Sequence, residues 1–387
     1  MKKLNYNVLY LTNIPSPYMI GYLNELNKYV TLEVVFEKGA DSSRPDSWNK
    51  SIKGCAFKYI ILNGKAISAK VYGDVVGSAP DDKAVSFGVI KYLKKSYDLI
   101  IVANPCTPTG IIAITYMRLK NIAYTIQSEG GIPGEGNGFK EKFKYYLMSK
   151  AKYYFSTCAM DDSYFYKYGA KKNEIKRYPF ASVSEKDLPN KIPAKEERNR
   201  MKNELGITSK WFILTVGRSV PVKGFDVLLN CIKHIEESDI TIGFVGGECI
   251  TEYQQIINHN DIRNVFFKDN VPFEILTKYY IAADIFVLPT RSDTWGLVVN
   301  EAMAFGLPVI TTDRCVAGNA LIENGINGYI VPSENSSAIA EKINYLLEKE
   351  ELLKSMSFNN FNVIRSWTFE EMGRVMEKNI KEILETK

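Results

Sequence analysis

At 387 residues, 45% hydrophobic and 24% charged, the chain has the length of two ordinary domains, each able to bury its own core. No window approaches the ~18 uninterrupted apolar residues of a membrane span, and the opening MKKLNYNVLYLTN reads as a first buried strand, not a signal peptide. Net charge is +5 but unevenly placed: residues 1–190 hold 27 Lys+Arg against 17 Asp+Glu, residues 191–387 hold 22 against 27, so the first half is expected to meet something anionic. The six cysteines (55, 106, 158, 231, 249, 315) are scattered without a CxxC, and only His234 and His259 are available as imidazole ligands. No zinc site is expected, and a reducing cytoplasm is the simplest compartment.

The first half alternates β-rich runs at 7–12, 31–37, 57–62, 98–103, 122–127 and 153–157 with helical patterns at 18–29, 83–95, 108–119 and 139–150. Strands written as unbroken apolar runs predict a parallel sheet covered on both faces. EKDLPNKIPAKEERNRMKNELGI, 185–207, is charged, broken by Pro189 and Pro193, and reads as a linker running into a short helix. A second alternation follows, with strands at 211–216, 240–246, 264–267, 285–288, 308–311 and 328–331 and helices at 225–237, 273–282, 297–305 and 336–349. The fold class is therefore α/β, two Rossmann-like domains facing each other across a cleft, where the carboxyl ends of such strands bind ligands. Residues 368–384 carry a further helical pattern whose destination periodicity does not reveal.

Two stretches concentrate the chemistry. In SDTWGLVVNEAMAFGLPV, 292–309, a strand hands over to a buried helix at Gly296, with Asp293 before the helix and Glu301 one turn inside it. A buried helix start leaves N–H groups for an anion, and glycine lets a ligand approach the backbone. The two carboxylates can then hold hydroxyl groups on either side of a phosphate. The plain structural alternative makes Asp293 a capping acid and Glu301 a buried acid paired with a neighbour. In VGRSVPVKGFDVLL, 216–229, Arg218 and Lys223 lie between Gly217 and Gly224 at another strand end. A guanidinium fork and an ammonium suit a diphosphate, against the alternative of solvated loop cations.

These two stretches, with YYIAADIFVLPT (279–290) and LIENGINGYIVP (321–332), resemble the retaining glycosyltransferases of family four, the group 1 glycosyl transferases of GT-B fold. NIPSPY (13–18), after the first strand, resembles them more weakly. The resemblance implies an acceptor-binding domain at 1–188, joined by the C-terminal helix 368–387, a linker at 189–207 and a nucleotide-sugar domain at 208–366. It implies that Arg218 and Lys223 hold the donor's diphosphate, with the backbone of Gly296 and Leu297 on the distal phosphate. Glu301 would bind the ribose, Asp293 the transferred sugar, and Gly217, Gly246, Gly247 and Val271 would border the nucleotide. Thr294 and Trp295 complete the expected donor contacts, and Arg218, Lys223, Asp293 and Glu301 are the expected catalytic set. The family more often has glutamate where this chain has Asp293, so the donor sugar stays open.

On the acceptor side the candidates are Pro15, Ser16 and Tyr18, with Glu129 and Gly130 from YTIQSEGGIPGEGNGF, 124–139. Many relatives place a histidine near the sugar, and here no histidine precedes residue 234. Glu129 can meet the acceptor, or be an acid satisfied by the glycine-rich loop; the loop is not GxGxxG, which speaks against a dinucleotide oxidoreductase. FKEKFKYYLMSKAK, 139–152, sets Phe139, Phe143, Tyr146 and Leu147 at helical spacing beside five lysines. Such a helix can lie on an anionic membrane or turn its apolar stripe to the core. The expected partners are thus a nucleotide sugar, UDP-linked, a glycan or lipid-linked cell-envelope acceptor, and an anionic membrane surface, with no nucleic acid. The expected location is cytoplasmic, at the inner face of the membrane. No cofactor and no metal are expected, since the chain has no D-x-D. A non-catalytic nucleotide-sugar binding protein and a same-fold sugar-nucleotide epimerase are the alternatives.

Overall fold

Apolar runs that need cover on both faces form two all-parallel sheets flanked by helices in the computed structural model, which describes residues 4–39, 51–63, 65–66, 84–134, 136 and 138–385. The chain divides into one unit of residues 1–184 with 368–387 and another of residues 185–367.

In the first unit the strands are β1 (Asn7–Thr12), β2 (Thr31–Phe36), β3 (Lys58–Ile61), β4 (Lys65–Ala66), β5 (Ala84–Val85), β6 (Leu99–Val102), β7 (Thr125–Gln127), β8 (Tyr153–Ser156) and β9 (Ile175–Arg177). Seven of them lie in the order β3-β2-β1-β6-β7-β8-β9, while β4 and β5 form a short antiparallel pair. Helices α1 (Pro17–Asn27) and α2 (Pro108–Leu119) each begin on proline, whose missing N–H costs nothing there. Thr107 caps α2 by accepting from the Gly110 N–H at 3.1 Å. The helices α3 (Phe139–Met148) and α4 (Ala159–Lys167) follow. The helix expected at 83–95 is not formed: β5 is followed by a 3₁₀ turn at Phe87–Tyr92. Gly88 and the β-branched Val89 and Ile90 weaken an α-helix there; Lys83 lies outside the described residues.

In the second unit β10 (Trp211–Val216), β11 (Ile240–Val245), β12 (Val265–Lys268), β13 (Ile285–Leu288), β14 (Val309–Thr312) and β15 (Gly328–Val331) lie in the order β12-β11-β10-β13-β14-β15. Its helices are α5 (Lys195–Glu204), α6 (Phe225–Cys231), α7 (Thr251–His259), α8 (Phe273–Ala282), α9 (Leu297–Ala304), α10 (Val316–Leu321), α11 (Ser336–Leu347) and α12 (Glu350–Ile364). The helix expected over 225–237 stops at Cys231 and tightens into a 3₁₀ turn, Ile232–His234. Every residue of β10 and β13 is buried, as central strands require. Because β10 has β11 on one side and β13 on the other, the chain leaves it in one direction and returns in the other. A crevice then opens beyond the carboxyl ends of β10 and β13. In the first sheet β1, between β2 and β6, stands in the same position.

The C-terminal helix α13 (Phe369–Glu385) belongs to the first unit. The Phe369 N–H donates to Val183 O at 3.0 Å and Asn379 Nδ2 to Arg177 O at 2.9 Å. Its approach to α1 needs glycine on both sides. A Cβ on Gly21 would lie 2.6 Å from the Phe369 ring, and one on Gly373 would lie 2.9 Å from Glu25 Cβ. The last two residues of the expected 368–387 helix lie outside the described residues.

Candidate active site

Two loops meet at the crevice of the second sheet. From β10 the chain runs through Gly217 and Arg218 into a 3₁₀ turn, Pro221–Lys223, and enters α6 through the left-handed Gly224. From β13 it runs through Pro289 to Gly296, which opens α9 at φ +99°. Gly224 packs so closely on Pro289 O that a Cβ would collide with it. Val222 O accepts from Thr290 Oγ1 at 2.9 Å and from the Arg291 N–H at 2.8 Å. The Arg291 guanidinium binds Asp226 through two bonds of 2.9 and 2.6 Å and Glu334 at 2.9 Å, partners that push its pKa further up. With the loops stapled in this way, Lys223 Nζ forms an ion pair with Asp293 across them.

Glu301 sits one turn into α9 and accepts from Tyr280 Oη at 2.8 Å. Burial pushes its pKa up to about 7, against the opposing pull of the Tyr280 bond. Gly217, which donates from N–H to Val245 O at 2.9 Å, ties the β10 loop to β11. Gly246, at φ +106°, and Gly247 follow β11 and lie directly on residues 217–219, where a Gly247 Cβ would strike Ser219. Val271 is partly buried just past β12, Thr294 is exposed, and Leu297 is partly buried at the start of α9. Arg218, Lys223, Gly246, Gly247, Val271, Asp293, Gly296 and Glu301 therefore lie at or just past the carboxyl ends of four strands of one sheet. Among the described residues no group of three or more His, Cys, Asp or Glu is arranged to hold a metal ion.

The side chain of Trp295 is a correction: it belongs to the core. It is 2% exposed, stacks on Trp367 at 5.7 Å and donates Nε1–H to Asn300 Oδ1 at 2.8 Å. An amphipathic ring beside a tight turn finds its cover inside the fold, which its place between Thr294 and Gly296 did not disclose. Arg291 and Tyr280 are the residues that sequence reasoning missed; both act on contacts across the sheet that no local spacing signals. Arg291→Ala is expected to lower turnover by up to about 10²-fold through misplacement of Lys223. Arg291→Lys, with one donor head in place of a fork, should restore only part of it in a steady-state assay.

In the first unit the residues after β1 and β7 come together. Tyr18 Oη donates to Glu129 Oε2 at 3.2 Å. Burial pushes Glu129 up to about 7, with the Tyr18 bond opposing. Behind it a buried chain runs from Tyr22 Oη to Gln127 Oε1 (3.5 Å) and from Gln127 Nε2 to Tyr178 Oη (3.1 Å). Gly130, at φ +132°, donates to Ser128 Oγ at 3.0 Å. Ser16 is buried and Pro15 O accepts from Ser51 Oγ, so those two candidates are turned into the fold.

Helix α3 departs from a core-facing stripe. Phe139 is 84% exposed, Phe143 and Tyr146 are also exposed, and the three rings stack along the surface at 6.5 and 6.3 Å. Leu147, expected on the same stripe, is buried, as is Met148. Lys140 and Lys142 are exposed, while Lys144 pairs with Glu141 at 3.2 Å. No helix of the described residues is long and apolar enough to cross a membrane.

A model of the family described as Glycosyl transferases group 1 matches residues 197–363. The chain is 34% identical over 200 residues to spore coat protein SA of Bacillus subtilis, covering 47% of this chain and 52% of that protein. It is 28% identical over 174 residues to a D-inositol 3-phosphate glycosyltransferase of Geodermatophilus obscurus, covering 41% and 38%. The chain spans about half the length of the first curated relatives that it matches. Among solved structures, Anabaena HepE in complex with UDP superposes with a TM-score of 0.76 at 15% identity, over 97% of this chain and all (100%) of that one. The pneumococcal O-GlcNAc transferase GtfA in complex with UDP and GlcNAc gives 0.68 at 15% identity, over 98% and 99%. At that identity the likeness is one of fold, the paired Rossmann-like arrangement of GT-B glycosyltransferases. The segment that matches the model of the glycosyl transferases group 1 family lies in the second unit, which carries Lys223, Asp293 and Glu301.

Proposed function

We propose that the protein is a retaining glycosyltransferase that moves a hexose from a UDP-linked sugar to a hydroxyl of a cell-envelope glycan or lipid-linked acceptor. The observation that carries this reading is the Lys223–Asp293 pair, which joins a diphosphate-type cation loop to the acid before α9 at the crevice of the second sheet. Arg218 and Lys223 hold the diphosphate, Glu301 the ribose, Asp293 the sugar, and the backbone of Gly296 and Leu297 the distal phosphate. Gly246, Gly247 and Val271 border the base. UDP in HepE and in GtfA, both of this fold, supports the choice of nucleotide. A 41.2 kDa protein in the cps region of Klebsiella pneumoniae, 28% identical over 215 residues, supports an envelope acceptor.

In this reaction the bond from the acceptor oxygen to the anomeric carbon forms on the face where the bond to the diphosphate breaks. The departing phosphate oxygen takes the acceptor's proton. Negative charge that develops on the diphosphate is met by Arg218, Lys223 and the amide end of α9, so no metal ion is required for that step. Tyr18, Glu129 and Gly130 face the acceptor.

Incubation with a panel of nucleotide sugars, following nucleoside diphosphate release with and without acceptor glycans, tests this reading. Binding without release identifies a non-catalytic nucleotide-sugar protein, and an isomerised donor without acceptor identifies an epimerase. Either result overturns the transfer. We further infer that α3 rests on the anionic inner face of a membrane, supported by its exposed rings and lysines. Neutralising Lys140, Lys142 and Lys144 should weaken sedimentation with phosphatidylglycerol vesicles by about fivefold per charge. Unchanged sedimentation would remove the membrane from the proposal.

A further inference from the structure

The second unit holds a cavity of about 510 Å³ at the amino ends of β10, β13 and β14, the end of the sheet opposite the donor crevice. That volume is of small-molecule size. The six residues of β10 separate the two ends by about 20 Å. One wall is apolar, with Pro193, Leu353 and Phe358. The other is basic. Lys202 is matched by Asp284 at 2.6 Å, but Lys195 and Lys210 are exposed at the mouth, and Lys210 Nζ stands 5.0 Å over the Trp211 ring. In all, five Lys or Arg side chains line the cavity against two acids, Asp284 and Glu350.

Two polar groups beside this wall lack the partners that burial demands. Trp211 and Ser357 are each only 7% exposed, and neither Trp211 Nε1 nor Ser357 Oγ has a hydrogen-bond partner. An unsatisfied buried donor costs about 1–3 kcal/mol, and both of these atoms lie sealed behind the wall. Arg198 spends one hydrogen bond, on Ala283 O, and its remaining N–H groups are available at the same wall. Burial pulls its pKa down from the ordinary guanidinium value, which an anion beside it would reverse.

We propose that this cavity binds a small amphiphilic anion, a phosphate or carboxylate carried on an apolar ring, with the acid group on Arg198 and the Lys195 and Lys210 ammonium groups and the ring against Phe358 and Leu353. The site is separate from the donor crevice and does not depend on the reading of that crevice.

Phenyl phosphate is a suitable probe. The chain has four tryptophans, and Trp211→Phe assigns the Trp211 indole N–H in a nitrogen–proton correlation spectrum. Phenyl phosphate is expected to move that signal saturably, with the same midpoint when UDP is present in excess. Arg198→Gln, and independently the pair Lys195→Ala with Lys210→Ala, should each raise the midpoint roughly tenfold. The lysine pair lies on the surface and leaves the Arg198 contact to Ala283 intact. Absence of a saturable shift would overturn the proposal, as would an equal shift with phenol or with inorganic phosphate. Displacement by UDP, or a midpoint unmoved in both variants, would overturn it as well.

Discussion

Lys223→Ala is expected to reduce nucleoside diphosphate release by roughly 10²–10³-fold while the protein stays folded. The ammonium stands at the end of β10, where charge on the leaving diphosphate would develop, and alanine leaves nothing to meet it. The fold is expected to survive because the same turn is held by other groups. Val222 O keeps its bonds from Thr290 and Arg291, and Gly224 still packs on Pro289. Asp293, whose side chain is largely buried, loses its ion-pair partner, so some stability is expected to be lost while the stapled loops keep the fold. The measurement is a single-turnover assay beside a thermal melt. Wild-type turnover in a folded Lys223→Ala protein would remove the diphosphate assignment.

Glu301→Gln is expected to weaken nucleotide-sugar binding by about tenfold or more at pH 8, since a carboxylate accepts hydroxyl protons more strongly than an amide. In the wild type, affinity should fall as pH drops through about 7, where Glu301 takes up its proton. The variant should show weak, nearly flat binding across that range. Stability should move the other way. Glu301 holds its proton to higher pH in the fold than in the unfolded chain, where a value near 4.5 applies. Its cost to the fold is therefore absent below about 4.5, grows as pH rises, and is complete above about 7. Glu301→Gln should accordingly melt higher than wild type at pH 8 and no higher at pH 4, while Tyr280 retains an acceptor. Equal pH profiles for the two proteins in isothermal titration would mean that this acid does not meet the nucleotide.

A good part of this architecture was legible as text. WFILTV and IFVL are unbroken apolar runs, and such runs are stable only as strands covered on both faces, so the two parallel sheets follow from hydrophobic burial. The helix over 273–282 was equally plain, because a strong apolar periodicity between clear breaks leaves few alternatives. Glycines 217, 224 and 296 marked the loops where the backbone turns or is approached closely, two of them at positive φ. Where local preference was weak, the reading failed: 83–95 has glycine and β-branched residues, and pairing with a neighbouring strand took its first part.

Partnership between distant side chains was decided only by the packed chain. Lys223 and Asp293 are 70 positions apart, and they meet because β13 pairs beside β10, an order that hydrophobic periodicity does not encode. The same holds for Arg291 with Asp226 and for Tyr18 with Glu129, 111 positions away. Trp295 and the rings of α3 show the converse. One aromatic in a polar loop is drawn into the core and three on an apolar stripe are left outside, because burial depends on what the neighbouring elements leave open. Sequence thus dictates which segments must hide from water, through the period of their apolar residues; strand order, which periodicity cannot express, dictates which charged groups stand together once they have done so.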